Sequence, residues 1–277
     1  MSLAYSYDGT FDGFLSSVFE AYFRRERPEE IAAEGRLQEA FGRKAVEVQT
    51  DEAKARRVEA GIVKKMGSHC YQKIWAAFLS DEPDKATLLY RYARRGFEIG
   101  RAVEHNIAHP DVLPIEKIYL NVMRESHFMK EFARFSQMEG GVYYAKITPK
   151  SAVIPLIMPH FADRLSSQPF LIHDDAHNMV GVYNLESWHI VETDFLTVPP
   201  PDENELHYRR MWKNFYETIA IAERINPVCR RTHMPMRFWR NMTEHSYIPP
   251  EKGPEVPIIE NVMPQNPVLP ALPEKLD

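Results

Sequence analysis

The sequence is poor in features that announce a reaction. Two cysteines, Cys70 and Cys229, among 277 residues are too few for a disulfide framework, and they exclude a self-contained four-cysteine iron–sulfur cluster or zinc site. Their scarcity points to a reducing compartment. Neither phosphate-cradling glycine loop is present, G-x-x-x-x-G-K-[ST] or G-x-G-x-x-G. No apolar run approaches the ~20 residues of a membrane span, and the N-terminus lacks a signal-peptide pattern. The expectation is a cytoplasmic protein with no membrane association. A net charge of −5 excludes a polyanion binder of the whole-surface kind, so any nucleic-acid face must be a local patch. No complete catalytic motif occurs. The sequence therefore leaves open whether the chain is an enzyme, and it implies no cofactor.

What is present is an ordinary globular composition, 44% hydrophobic and 26% charged, with enough apolar content for a real core. The pattern predicts an α+β fold: a mostly helical N-terminal half, an antiparallel sheet of about five strands with a crossing helix, C-terminal amphipathic helices and a Pro-rich tail. Three regions are expected, a mainly helical one with two short strands (1–110), an α+β one (111–247) and the tail (248–277). The stretch Glu125–Lys150 is central, because there a helix runs into a hairpin. Phe132 to Phe135 alternates like a strand, Glu139-Gly140-Gly141 makes the turn, and Val142 to Thr148 returns. Pro159 is placed to open the crossing helix. Three more strands follow near 170–173, 180–183 and 188–192, and their short connections predict antiparallel pairing. Leu206 to Asn226 is strongly amphipathic, with Met211, Trp212, Phe215, Ile219 and Ala222 predicted to be buried.

Charge is unevenly distributed. Lys54, Arg56, Arg57, Lys64 and Lys65 oppose only Glu59 over residues 54–65. Lys85, Arg91, Arg94, Arg95 and Arg101 oppose Asp84 and Glu98 over residues 84–101. Arg230, Arg231, Arg237 and Arg240 lie in RRTHMPMRFWRNMTEH with Phe238 and Trp239 between them. Guanidinium groups grip phosphates and aromatic rings stack on bases, so Arg91, Arg94, Arg95, Arg134, Arg230, Arg231, Arg237 and Arg240 are candidate nucleic-acid contacts. Lys146 and Arg134 could extend such a face across the hairpin. A solvated helix face is the more common explanation of either middle-helix run taken alone, and core packing is the favoured reading of Phe238 and Trp239. Residues 166–205 contain eight acids and no lysine or arginine, so nucleic acid should avoid that side. His173, Asp174 and His177 in this region are the candidates for a metal site, and exposed loop histidines are the explanation favoured over it. Glu125 and His127 are candidates for an acid–base pair, with His160, Arg164 or the Asp174/His177 turn completing a pocket, and they could equally cap structural groups. Cys70 beside His69 reads as a buried, inert thiol.

Five stretches in order carry a resemblance: YDGTFDGFLSSVFEAY, VQTDEAKARRV, ESHFMKEFARF followed by VYYAKITP, PHFADRLSSQPFLIHD, and HMPMRFWRNMTE. Over roughly Tyr5 to Glu244 the chain resembles the bacterial "probable DNA metabolism protein" family, a domain of unknown function. That family is encoded beside a DNA modification or repair radical-SAM protein, and some members are fused to a uracil-DNA glycosylase-like domain. The resemblance implies DNA and a radical-SAM protein as partners. Two positions depart from the family pattern. Phe128 stands where an arginine usually follows the histidine of the E-x-H motif, and His177 stands where a basic residue is common. The tail beyond Tyr247 has no counterpart, which leaves homo-oligomer formation or partner docking through residues 249–277 as a further expectation. The functions to be weighed are a DNA-associated accessory protein, an acid–base or metal-assisted enzyme on a nucleotide or base, and an interaction scaffold.

Overall fold

Two sheets of different construction organise the chain. The computed structural model describes residues 2–37 and 43–245, and it divides into two units between Arg124 and Glu125. The predicted Pro-rich tail lies outside the described residues.

In the first unit, β1 (Ser2–Tyr7) runs into α1 (Phe11–Phe23), β2 (Glu30–Ala33) and β3 (Arg43–Glu47), and the three strands pair in parallel in the order β2-β1-β3. Thr10 caps α1, its hydroxyl accepting the Gly13 N–H at 3.0 Å. Asp51 caps α2 (Glu52–Met66) by accepting the N–H groups of Ala53 and Lys54. Then come α3 (Ser68–Phe78), α4 (Lys85–Ile99) and a 3-10 turn over Gly100–His105. Phe11, Phe14, Tyr71 and Phe78 form an aromatic cluster. The two strands expected here, Leu3 to Tyr7 and Ala45 to Gln49, correspond to β1 and β3, while β2 is an addition. It is short, and its pairing depends on distant residues: the Thr87 hydroxyl of α4 accepts the Ile31 N–H and donates to the Ile31 carbonyl. An edge strand's free backbone is thereby satisfied by a helix side chain.

The division point falls within α5 (Leu113–Phe132). The second unit holds a five-stranded sheet in the order β4-β5-β6-β7-β8, where β4 is Ser136–Gln137, β5 Tyr143–Ile147, β6 Phe170–Asp174, β7 Met179–Tyr183 and β8 Trp188–Glu192. The α+β class and the five strands are as expected. β4–β5, β6–β7 and β7–β8 are antiparallel, but β5 and β6 are parallel, so the sheet is mixed. The reason is the crossing helix α6 (Ile154–Arg164), since a helical crossover returns the chain to the end of the sheet where β5 began, so that β6 runs in the same direction. Pro155, not Pro159, occupies the first turn of α6, and Pro159 lies inside it. Residues 132–135 are not a strand: α5 persists through Phe132 and β4 is only two residues long.

Strand alternation sends Ala145, Ile147, Ile172, Gly181 and Ile190 to one face, where α6 packs against β7 and β8. Gly181 permits the close approach: a Cβ there would collide with the Met158 sulfur and lie 3.1 Å from Ile154 Cγ2. After β8 come α7 (Glu205–Thr218), a 3-10 turn at Ala222–Arg224, α8 (Pro227–His233) and a 3-10 turn at Met236–Asn241. Pro227 starts α8 behind an Asn226 cap, whose side chain accepts the Cys229 N–H at 2.9 Å. No helix among the described residues is long and apolar enough to cross a membrane.

Candidate functional site

Glu125 sits on α5 with 5% exposure. Its carboxylate accepts the backbone N–H groups of Lys150 and Ser151, each at 2.8 Å, and Arg237 Nη2 lies 3.1 Å away. Two backbone donors and one guanidinium cation therefore hold the carboxylate as a structural anchor between α5, the segment after β5 and the last 3-10 turn. His127, two residues on, points to solvent and pairs with Glu131 at 3.0 Å. Helix positions two apart do not face one another, so Glu125 and His127 are not brought together. His160 and Arg164 are exposed on α6.

Beside the anchor, Asp174 is fully buried and its Oδ2 lies 2.7 Å from His177 Nδ1. His177 Nε2 lies 3.1 Å from the Lys150 carbonyl oxygen. Both neighbours are acceptors, so both ring nitrogens donate and the imidazole is held as the cation. Burial alone would lower the His177 pKa. The hydrogen bond and charge of Asp174, the Lys150 carbonyl and the charge of Glu125 outweigh it and raise the pKa. His173 belongs to the opposite face of β6, so alternation separates it from Asp174. The three candidates do not assemble, and among the described residues no group of three or more His, Cys, Asp or Glu is placed to hold a metal.

The arginine candidates divide into two kinds. Arg134 makes two hydrogen bonds to the Glu244 carboxylate, at 2.6 and 3.2 Å, and others to the carbonyls of Glu131 and Ala133. Arg237 is tied to Glu125 and lies over Phe238, and Arg240 donates to the Thr148 hydroxyl at 3.2 Å. Arg95 pairs with Glu98, Arg91 reaches the Glu29 carbonyl at 3.4 Å, and Arg94 is half-buried. Arg230 stacks over Trp239 at 4.9 Å, while Arg231 is exposed. Phe238 is core, 3% exposed, against Phe128 and Phe132. Phe128, where the resembled family has arginine, therefore contributes an apolar contact.

Helix α7 differs most from the sequence reading. Its predicted buried stripe is exposed: Met211 53%, Trp212 41%, Phe215 52% and Ile219 57%, with Tyr208 at 59%. Amphipathic spacing identifies an apolar side without identifying what covers it. Arg210 and Lys213 interleave with these rings, Arg224 and Arg231 follow them, and none of the four has an ion-pair partner among the described residues. The indole of Trp212 also donates to Glu244 at 3.2 Å, which links α7 to the Arg134 brace.

The opposite face of the sheet from α6 carries an open cavity of about 400 Å3. Tyr144 and Lys146 of β5, His173 of β6, Asp175 and Asn178 of the β6–β7 turn, and residues 193–197 line it. Lys146 and His173 are register partners, so parallel pairing places them side by side. Tyr144 Oη lies 2.9 Å from His173 Nδ1, and Lys146 Nζ 3.0 Å from Asp175 Oδ2. Burial raises the Tyr144 phenol to about 12 and lowers the His173 pKa, so at neutral pH the pair is a phenol and a neutral imidazole. Asp175 Oδ1 is 3.9 Å from Nε2 and favours the proton there, with Tyr144 donating to Nδ1. The sequence reading missed Tyr144, Asn178, Asp194 and Phe195. Alternation within β5 could have paired Tyr144 with Lys146, but the turn and the 193–197 segment join them only through tertiary structure.

Two other polar clusters are internally satisfied. Cys70 is fully buried, donates to Glu104 at 3.3 Å and has its thiol pushed up by burial to about 11, so it is a neutral donor. His69 contacts the same carboxylate oxygen at 3.1 Å, so the carboxylate, not the imidazole, is the thiol's partner. At the carboxyl ends of β1 and β3, Asp8 accepts the N–H and hydroxyl of Thr10 and the hydroxyl of Thr50.

No curated protein matches the chain. Residues 83–244, which span α4 through the last 3-10 turn and so include the Glu125 anchor, the cavity and the α7 face, match the family described as a domain of unknown function, DUF4130. Since that match covers more than half of the sequence, the chain belongs to the DUF4130 family.

Proposed function

We propose that the protein is a DNA-associated accessory factor of modification or repair, working in the cytoplasm beside a radical-SAM protein. The observation that carries this reading is the α7–α8 segment, where the exposed rings of Tyr208, Trp212 and Phe215 interleave along α7 with Arg210 and Lys213, and the exposed Arg224 and Arg231 follow. Cations track a phosphate backbone while aromatic faces stack on bases, the combination that single-stranded nucleic acid requires. Arg134, Arg237 and Arg240 are engaged within the protein, so the proposed phosphate contacts are Arg210, Lys213, Arg224, Arg230 and Arg231. The radical-SAM partnership rests on the family resemblance alone. The apolar stripe of Met211, Trp212, Phe215 and Ile219 favours a second reading, a protein-docking face, for which that same partner is the occupant we infer.

The test is fluorescence anisotropy with a labelled single strand over a salt series. Expected is binding that weakens as salt rises, with each of Arg210→Ala and Arg231→Ala reducing the salt slope by roughly one. No binding at low salt, or affinity insensitive to salt, overturns the DNA reading. Retained strand binding in Phe215→Ser with loss of the protein partner would favour the docking reading.

A further inference from the structure

The cavity on the outer face of the sheet is not used by the DNA contact proposed above. Its wall has a distinct chemistry. Lys146, its cation, is already paired with Asp175 at 3.0 Å, and Asp194 adds a carboxylate that pairs with no cation among the described residues, so the wall does not attract a phosphate. Asn178 Nδ2 donates to Asp194 Oδ1 at 3.2 Å, placing an amide and a carboxylate side by side as donor and acceptor. Neutral His173, held by Tyr144, adds a ring edge. Phe195 stands at the cavity with 88% exposure, an aromatic face with little protein against it.

The segment carrying Phe195 is held in place. The Thr193 hydroxyl donates to the Phe195 carbonyl at 2.8 Å and accepts its N–H at 3.2 Å. The Thr193 N–H donates to the Asn178 carbonyl at 2.9 Å. Asn178 itself has a φ of 54°, the left-handed conformation that asparagine tolerates better than most residues. Its backbone and side chain both bind residues 193–194, so the strained turn positions the acceptor and, through Thr193, the aromatic wall.

A volume of about 400 Å3 suits a small molecule, and the walls supply one stacking face with mixed hydrogen-bonding groups and no unpaired cation among the lining residues. We propose that this cavity binds an uncharged planar heterocycle of the nucleobase class, stacked on Phe195 and read along its edge by Asn178, Asp194 and His173. Such a base comes either from a free nucleoside or from an unpaired residue of a strand.

The experiment is calorimetric titration of the full chain with the individual nucleosides, their monophosphates and inorganic phosphate. At least one nucleoside is expected to bind, its monophosphate no more tightly, and phosphate should not compete. Phe195→Ala should weaken binding about tenfold, and Phe195→Tyr should restore it, because stacking needs a ring. Phe195 is exposed, so neither variant should disturb the fold, and a matching thermal melt checks this. Asp194→Asn exchanges an acceptor for a donor and should reorder the preference among nucleosides. Absence of binding at millimolar nucleoside, competition by inorganic phosphate, or unchanged affinity in Phe195→Ala overturns the proposal. A strand with one abasic position, compared with the intact strand, separates the two sources: loss of the Phe195 effect at the abasic position identifies a strand base. The charge reversal Arg231→Glu should impair strand binding and leave nucleoside affinity unchanged, so this site and the DNA face fail independently.

Discussion

His173 and His177 lie four residues apart and have opposite electrostatic roles. His177 is enclosed by acceptors, so its folded pKa is raised and its stabilisation is fully present below the unfolded value of about 6.5. That contribution is lost as pH rises through the folded pKa. His173 is depressed, chiefly by burial, so its contribution is present above about 6.5 and is lost as pH falls through its folded value. His177→Asn should therefore cost more stability near pH 6 than near pH 8.5, as read from urea midpoints. A cost independent of pH would mean that the imidazolium is not formed. Glu125, a candidate acid–base group by sequence, illustrates a limit at this scale: a carboxylate near a histidine in sequence says nothing of which donors will surround it.

At the scale of elements, the local patterns located most strands and helices and the antiparallel pairing of β6, β7 and β8, but not the parallel β5–β6 pair. β6, β7 and β8 were legible because two-residue alternation and turn residues are short-range signals, and short connections force antiparallel neighbours. β2 was not legible, because its four residues acquire a strand's hydrogen bonds from β1 and from Thr87, which are distant in sequence. The parallel β5–β6 pair follows from α6, whose apolar side must lie on the sheet. Gly181 marks this contact. Gly181→Ala should destabilise the protein by about 1–3 kcal/mol, because the added methyl must displace Met158. A smaller companion change, Met158→Leu, should relieve part of that loss in the double variant. Helix α7 is the reverse case: its periodicity was correct and its environment was not, because exposure belongs to the neighbours and not to the helix.

At the scale of the whole molecule, carboxylates set the acid limit of stability. Asp8, held by Thr10 and Thr50, and Glu244, held by Arg134 and Trp212, have lowered pKa values although burial opposes ionisation in both. Their stabilisation is present above the ordinary carboxylate values of about 4 and is lost as pH falls through the folded ones. Denaturation midpoints should fall steeply below about pH 4, and Glu244→Gln should cost about 2 kcal/mol near neutral pH, with the difference shrinking in acid. Equal cost at both ends would refute the charged brace.

The sequence by itself determined the α+β class, the scarcity of thiols, the basic runs and the acidic stretch over 166–205, since these depend on composition and short-range periodicity. Tertiary structure alone decided which of those charges remain available. Arg134 meets Glu244 from 110 positions away and Arg237 meets Glu125 from the other end of the unit, while Arg210 and Arg231 meet no acid among the described residues. The outer cavity was likewise decided there, because Tyr144, His173, Asn178 and Phe195 become neighbours only through strand register and a turn. Proximity between distant residues is a product of packing, and no local pattern encodes it.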